Sequence, residues 1–392
     1  MILFKILLLI YTLCGLLYWL MQLFLTLRVM KSVPLLEKLP YDKSRTWPKV
    51  SVIIPACNEA KTIEDAMQSR LQDDYPNLEI LLIDDRSTDR TGEIVDKIAA
   101  KDSRVKAIHI SELPEGWVGK PYALDQGAKL ATGDWLLFSD ADVYIKPTAI
   151  KRAITYCESR KLDHLTIFPE LYQTRFLLDT LLSLFIRWIC LMARVWAVED
   201  EKSNASAGAG AFNLVRRSAL EKIKGFEALR LEVADDVALG QVLKKSGARS
   251  SLINGRHYVG IYFYRSIREA AIGSERAGFT TIGNFSSIRL ALIGIILFGL
   301  EMSSFIILVP MGIPYLPILG LIMVSVVFFV SISMNKWLNR PILPSLFLPI
   351  GITISTVLMF RTGILGVKRG GIYWRGTFYP TSLLKSGRRY KF

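Results

Sequence analysis

The apolar residues of this chain gather at its two ends, and that distribution limits its fold more than any motif does. Ile2 to Leu27 is apolar almost throughout, with Lys5 its one charge and Gln22 an interruption. Three further runs follow, at about 290–309, 313–333 and 343–360. Each could cover ~30 Å of hydrocarbon as a helix of about 20 residues. The first run is longer than the apolar part of a secretory signal and has no A-x-A-like site, so residues 1–30 read as an uncleaved anchor. Between the anchors, Lys31 to Arg289 mixes polar and apolar residues and is long enough to bury its own core.

The net charge of +14 raises the question of nucleic acid. Residues 302–392 carry ten Lys or Arg and no Asp or Glu, so +10 of that excess lies beside the apolar runs. Basic segments next to membrane spans face anionic lipid and gain ~1 kcal/mol per charge there. A lipid bilayer, and no nucleic acid, is therefore the expected partner. Cys14, Cys57, Cys157 and Cys190 show no CxxC spacing, which fits a soluble part in a reducing compartment.

After a Pro-punctuated linker, SVPLLEKLPYDKSRTWPK, the chain switches sharply to VSVIIP, a buried first strand. A polar turn, CNEAKT, leads to an amphipathic helix ending near Leu71, and then to LEILLIDD. STDRTGEIVDKIAAKD, RVKAIHI, GKPYALDQGAKLATG and DWLLFSD continue the alternation of helix and strand. Strands of continuous apolarity separated by helices imply an α/β fold with a mainly parallel sheet covered on both faces. Ligands bind beyond the carboxyl ends of such strands. The clusters ACNE, DDRSTD and SDAD fall at those ends and should converge on one crevice.

The segment Arg175 to Glu199 is apolar except for a stripe. At 100° per residue, Arg175, Asp179, Ser183, Arg187 and Arg194 fall within an arc of about 120°. The apolar remainder is too wide for a helix resting on one sheet. It reads as an interfacial helix, about 175–199, with its charged stripe toward protein or water; a core helix of the soluble domain is the alternative.

Asp140 and Asp142 in FSDADVY flank one alanine, so both carboxylates can point the same way. At about 5 Å and an effective dielectric of 20 they repel by roughly 3 kcal/mol, which a hard divalent cation with oxygen ligands would relieve. Such a cation would bridge to a diphosphate. Asp85, after the second strand, suits the donor groups of a base or ribose, whereas Asp89 in the same turn reads as a helix cap. Lys120 follows Gly119 at the start of a helix whose amides favour anions, so it can approach phosphates. His257 is a further candidate ligand. Asp235 and Asp236 open another helix, either as caps or as a base that deprotonates an acceptor hydroxyl.

The motifs SVIIPACNE, LLIDDRSTD, GWVGKPYALDQGA, FSDAD, GAGAFNLVRRSALEKIKGF, ADDVALG and the tail GIYWRGTFYP together resemble the family 2 glycosyltransferases, which have a GT-A fold. The likeness is greatest to membrane-anchored enzymes that glycosylate carotenoids, hopanoids or related lipids, and it covers about residues 48–280 plus the tail. The resemblance implies that Pro55, Glu59 and Asp85 line the pocket for the base and ribose of a UDP-sugar. It implies that Asp140 contacts the sugar nucleotide, that Asp142 holds Mg2+ or Mn2+, and that Asp236 is the catalytic base, with Asp235 where glutamate is usual. It also implies that Trp374 and Arg375 close over the site, although an interfacial belt of aromatic and basic residues explains that tail equally.

Two positions depart from the family pattern. Cys57 stands where an aromatic or arginine is often found. The QxxRW motif of processive synthases is absent, the corresponding stretch being YRSIREAAIGSERAGF, in which Arg276 or Arg268 is left as a candidate diphosphate contact. The expected protein is then an anchor (1–30), a GT-A domain (48–288), C-terminal membrane segments (289–361) and a basic aromatic tail (362–392). It would transfer one sugar, with inversion, from a UDP-sugar to a hydroxyl of a membrane lipid such as a carotenoid, hopanoid or sphingolipid-like acceptor. A polysaccharide synthase of the same family and a non-catalytic membrane scaffold are the rivals. The expected location is multi-pass in the plasma membrane with the catalytic domain cytoplasmic. Three full C-terminal spans would leave the basic tail outside, so a segment broken by Pro341, Pro344 and Pro349 is expected to be re-entrant or interfacial.

Overall fold

A computed structural model describes residues 2–41 and 46–389. The chain divides into two compact units that interleave along the sequence. One comprises Met1–Ser32, Gln173–Met192 and Tyr264–Ile372; the other comprises Val33–Tyr172, Ala193–Phe263 and Tyr373–Phe392.

The second unit is built on a seven-stranded sheet. Strands β1 (Val50–Ala56), β2 (Leu78–Asp85), β3 (Val105–Ile110) and β4 (Trp135–Phe138) are the apolar runs of the sequence. β1 lies parallel to both β2 and β4, and β2 parallel to β3. Every residue of β1, β2 and β4 is buried, which is the physical reason that they are mainly apolar, with Ser51 and Glu79 bonded to each other as buried exceptions. A short pair, β5 (Tyr144–Ile145), follows, then β6 (His164–Phe168), β7 (Glu170–Leu171), β8 (Asn213–Arg216), β9 (Ser250–Asn254) and β10 (Val259–Ile261). In order the large sheet runs β3-β2-β1-β4-β8-β6-β9, with β8 antiparallel to both β4 and β6. β5, β10 and β7 make a small three-stranded sheet. β11 (Gly371–Trp374) and β12 (Thr377–Pro380) make a hairpin near the C-terminus. The fold is α/β with a mainly parallel central sheet, and the turns after β1, β2 and β4 lie at the carboxyl edge of adjacent strands.

The apolar unit is helical. Among the described residues, five helices are long and apolar enough to cross a membrane: Ile2–Ser32, Phe176–Ala197, Ser287–Ile306, Leu316–Trp337 and Leu348–Arg369. The regular α-helical part of the second ends at Met192. Its expected stripe divides. Asp179, Ser183 and Arg187 are buried, whereas Arg175 and Arg194 are exposed. Arg187 forks onto Glu301 with two contacts of 2.7 Å, and Glu301 also accepts from the Trp188 indole at 2.9 Å and from the Tyr18 hydroxyl. The other guanidinium nitrogen donates to Gln22 at 2.9 Å, and the Trp19 ring lies 5.1 Å from the guanidinium carbon. Three helices distant in sequence are thus joined through one buried ion pair. Arg340 pairs with Asp179 at 3.1 Å in the same unit, and Ser183 donates to Asn335 at 2.9 Å.

The prolines of the last apolar run do not break its helix. The interruption is confined to residues 341–347, where a short turn, Ile342–Ser345, precedes an unbroken helix Leu348–Arg369. Pro349 sits in that helix's first turn, where its missing N–H has no partner to lose.

Removing one half of a buried ion pair leaves the other charged and unsolvated, at a cost of about 3–5 kcal/mol. Arg187→Met is therefore expected to lower the thermal midpoint of the purified protein clearly, and Arg187→Met combined with Glu301→Gln to recover part of the loss. Equal midpoints for wild type and Arg187→Met would show that the pair does not hold these helices.

Candidate active site

The turn after β1 carries Pro55, Ala56, Cys57 and Asn58, and it is laced to the turn after β2. Asn58 donates its N–H to the Ser87 hydroxyl at 3.0 Å and accepts from the Thr88 N–H at 2.8 Å. The Glu59 N–H donates to the Thr91 hydroxyl at 2.8 Å. Asn58 and Arg86 both have positive φ, 57° and 54°, so each turn bends sharply as it leaves its strand. Asp89 accepts from the Thr91 N–H at 3.0 Å and the Ala60 N–H at 3.2 Å, which makes it a helix-start and loop-tying residue.

Asp85 is buried and forked by Arg86, whose Nε lies 2.7 Å from Oδ1 and Nη2 3.2 Å from Oδ2. Gly119 opens the next helix, Gly119–Leu130, against this pair; a Cβ there would meet Arg86 Nη2 at 2.5 Å and Asp85 Oδ2 at 2.7 Å. A larger residue there would have to displace the ends of both side chains.

The turn after β4 is held from beneath. The Asp140 N–H donates to Gly210 at 2.7 Å, the Ser139 hydroxyl to the Ala211 carbonyl at 2.7 Å, and buried Arg70 reaches Ser139 and the Asp140 carbonyl. The Asp140 carboxylate lines the crevice, and Asp142 follows on the same turn. Burial, then the charges of Asp140 and Glu59, push the Asp142 carboxyl up to about 7. Burial also brings Arg70 down to about 10 although both aspartates oppose that change. The local charge balance at this turn thus favours one more cation.

Asp235 and Asp236 begin the helix Asp235–Lys245. Asp236 accepts the Gly210 N–H at 2.7 Å and the Val237 N–H at 2.8 Å, which fixes its carboxylate orientation. Lys120 lies between the two acidic clusters, with Nζ 2.7 Å from Asp140 and 3.4 Å from Asp235. Burial opposes the lysine charge, but Asp140, Asp235 and Asp236 together hold its pKa above the ordinary value. Asp235 and Asp236 are shifted upward, chiefly by burial, with Lys120 pulling the other way. Lys120, Asp140, Asn213, Asp235 and Asp236 line one small cavity with Phe138 and Phe226.

The C-terminal hairpin meets the turn after β1 and the start of the helix Gly119–Leu130. Arg375 donates to the Cys57 carbonyl at 2.7 Å and to Glu59 at 2.9 Å, and the Gly119 N–H reaches the Tyr379 hydroxyl at 3.4 Å. Trp374 is buried. Pro55, Glu59, Asp85, Lys120, Asp140, Asp142, Asp235, Asp236, Trp374 and Arg375 therefore all belong to one unit. Arg276 belongs to the apolar unit, on the helix Ile267–Ala277. His257 faces Glu37 and Glu170, at 3.5 and 3.8 Å.

Sequence reasoning passed over Arg70, Arg86 and the glycines of SNASAGAGAF. A Cβ on Gly208 would collide with the Asp236 carbonyl, and one on Gly240 with the Ala207 carbonyl. The small-residue run is thus what lets the strand leading to β8 pass against the helix that carries Asp236. Its signal was the run itself, five Gly or Ala in the six residues from Ala207 to Phe212.

Residues 51–224 match the model of glycosyl transferase family 2. The chain carries a family 2 glycosyltransferase domain. Glycosyltransferase GlyG of Streptococcus pneumoniae is 31% identical over 29% of this chain and 36% of its own length. The 4,4'-diaponeurosporenoate glycosyltransferase of Staphylococcus haemolyticus is 36% identical over 31% of this chain and 32% of its own. The chain spans about a third of the length of the curated relatives it matches. The mannosyltransferase PcManGT of Pyrobaculum calidifontis, solved in complex with GDP-Man and Mn2+, superposes with a TM-score of 0.53 at 17% identity, covering 91% of this chain and 98% of that one. That likeness establishes the GT-A fold of the glycosyltransferase domain.

Forcing a methyl group into these glycine contacts should part the backbone at the crevice, at about 1–3 kcal/mol for overpacking. Gly208→Ala and Gly240→Ala are expected to melt earlier than wild type and to bind UDP more weakly in calorimetry. Wild-type melting and UDP affinity in both variants would show that the close approach does not shape the site.

Proposed function

We propose that the protein transfers a single sugar from a UDP-sugar to a hydroxyl of a membrane lipid, with inversion at the anomeric carbon. The observation that carries this reading is the single cavity that joins Asp140 on the donor side to Asp236 on the helix opposite. Family 2 membership and the diaponeurosporenoate enzyme among its relatives support transfer to an apolar acceptor. Asp85, with Glu59 and the Pro55 turn, binds the base and ribose. Lys120 meets the diphosphate, and Arg375 and Trp374 cover the nucleotide. Asp236, oriented by two backbone N–H groups, takes the proton of the acceptor hydroxyl as that oxygen attacks, and Asp235 lies beside it.

The residues present fit Mg2+ or Mn2+. Two carboxylates share one turn, and the charge balance there favours a cation. Among the described residues no three His, Cys, Asp or Glu side chains form a complete ligand set. Asp142, with Asp140, would therefore hold the ion jointly with the donor's diphosphate. When bound, the ion stabilises charge on the departing UDP.

The apolar helices support action at a membrane, proposed to be the plasma membrane with the catalytic unit cytoplasmic. Connectivity restricts the topology further. The helix Phe176–Met192 begins after β7 and ends before β8, and both strands belong to the catalytic unit. Its flanks therefore stay on one side of the bilayer, and it enters and leaves the membrane or lies in its interface. The chain likewise leaves the catalytic unit at Phe263 and rejoins it at Tyr373 after three long apolar helices. An odd number of crossings cannot return it, so at least one of the three does not cross. A reporter fused after Phe392 is expected on the same side as one inserted in the catalytic unit; opposite sides would overturn this topology.

Loss of a general base costs about 10²–10⁴-fold, so Asp236→Asn should lose transfer by that factor while keeping UDP affinity within about twofold. Transfer at wild-type rate would remove Asp236 from its role. The cation binds the ionised form of Asp142, whose acid form persists up to about 7. Mn2+ affinity measured with UDP present is thus expected to rise as pH increases through about 7, and Asp142→Asn to abolish that rise. An affinity flat from acid to neutral pH would contradict Asp142 as the ligand.

A further inference from the structure

The small sheet beyond Asp142 has two unlike faces. Its strands β5, β10 and β7 pair so that Gly260 lies opposite both Tyr144 and Glu170, with Ile145 opposite Val259 and Leu171 opposite Ile261. Side chains alternate across a strand, so Ile145, Val259, Ile261 and Leu171 share one face. All four are buried. The other face carries Tyr144, Glu170 and, with the next alternating residues, Tyr172 and Tyr262, around the bare backbone of Gly260. The three rings meet one another, with centroids 5.8 Å apart for Tyr144 and Tyr172, 5.1 Å for Tyr172 and Tyr262, and 6.5 Å for Tyr144 and Tyr262. All three are half-buried.

Gly260 is required for this arrangement, since a Cβ there would collide with the Tyr172 ring. Burial, then the nearby Glu170 charge and the two other phenols, push the Tyr172 hydroxyl up to about 12, so it stays a neutral donor. Glu170 accepts from the His257 N–H at 2.7 Å, which fixes its carboxylate beside the rings. The first ring is two residues past Asp142 on the same turn and strand.

We propose that this face is a saccharide subsite on the acceptor side, which holds a hexose ring already borne by the lipid acceptor. Phenol rings offer flat apolar surfaces with a polar rim, which matches a pyranose with an apolar C–H face edged by hydroxyls. Glu170 supplies an acceptor for those hydroxyls, where a site for a bare hydrocarbon would call for aliphatic residues and no carboxylate. The inference rests on the glycosyl-transfer reading and deepens it. The acceptor would be a glycolipid whose first sugar was installed by an earlier glycosyl-transfer step.

The test uses the full chain purified in a sugar-free polyoxyethylene detergent, so that the detergent does not fill the subsite. Binding of octyl β-glucoside below its critical micelle concentration is read by saturation-transfer NMR, with octanol as the apolar control. UDP-sugar hydrolysis is measured on the same samples and reports the donor site separately. The expected result is sugar-proton saturation that octanol does not displace. Tyr172→Ala and Tyr262→Ala should each weaken binding about tenfold, as burial of one aromatic ring would supply. Gly260→Ala, which displaces the Tyr172 ring without removing it, should do the same, and all three should hydrolyse donor at the wild-type rate. Absence of octyl glucoside binding in wild type that hydrolyses donor would overturn the subsite alone, as would full displacement by octanol or wild-type binding by Tyr172→Ala and Tyr262→Ala. Wild type that neither binds nor hydrolyses a UDP-sugar would instead overturn the transferase reading on which the subsite rests.

Discussion

The crevice depends on one ammonium group. Asp140, Asp235 and Asp236 come from two separate stretches of chain and line a cavity with two phenylalanines, a setting in which like charges repel strongly. At an effective dielectric of 20, each unit-charge contact near 4 Å is about 4 kcal/mol. Lys120 lies within 3.4 Å of a carboxylate on either side and converts that repulsion into attraction. It does so from the first turn of the helix that opens at Gly119. A residue that the sequence suggested as a phosphate contact therefore also permits the acidic cluster to form.

The membrane-facing unit repeats the logic with a different pair. Arg187 and Glu301 are hidden among apolar helices, yet Oε1 of the carboxylate accepts from Tyr18, Trp188 and the guanidinium, and Oε2 from the guanidinium. Both units thus use a cation, half-buried in one and fully buried in the other, to join segments distant in sequence. In the catalytic unit the joint stays accessible to a ligand cavity, and in the apolar unit it is closed.

Much of this was legible in the sequence, for physical reasons that differ by element. β1, β2 and β4 announced themselves because burial on both faces demands unbroken apolarity. Their terminal clusters were legible because a parallel sheet presents its ligands at one edge. The ion pairs were less so: the helical wheel put Asp179 and Arg187 on one stripe, but nothing local in the sequence named Glu301 or Arg340 as partners. Arg70 was hidden inside an ordinary amphipathic helix, and its bond to the Asp140 carbonyl appears only when that helix packs beneath the turn. The prolines at 341–349 suggested a broken span, whereas Pro349 occupies a first turn that tolerates it. The tyrosines at 144, 172 and 262 are scattered over more than a hundred residues, and only strand pairing around Gly260 gathers them.

On the proposed function, the edge of this sheet receives a nucleotide sugar between Asp85 and the Asp140–Asp142 turn. An experimental structure of the full chain with UDP and Mn2+ tests it most directly. The base and ribose are expected against Asp85 and Glu59, the ion on Asp142, and the diphosphate within reach of Lys120. Nucleotide density elsewhere in the catalytic unit, with Lys120 and Asp142 left untouched, would contradict it.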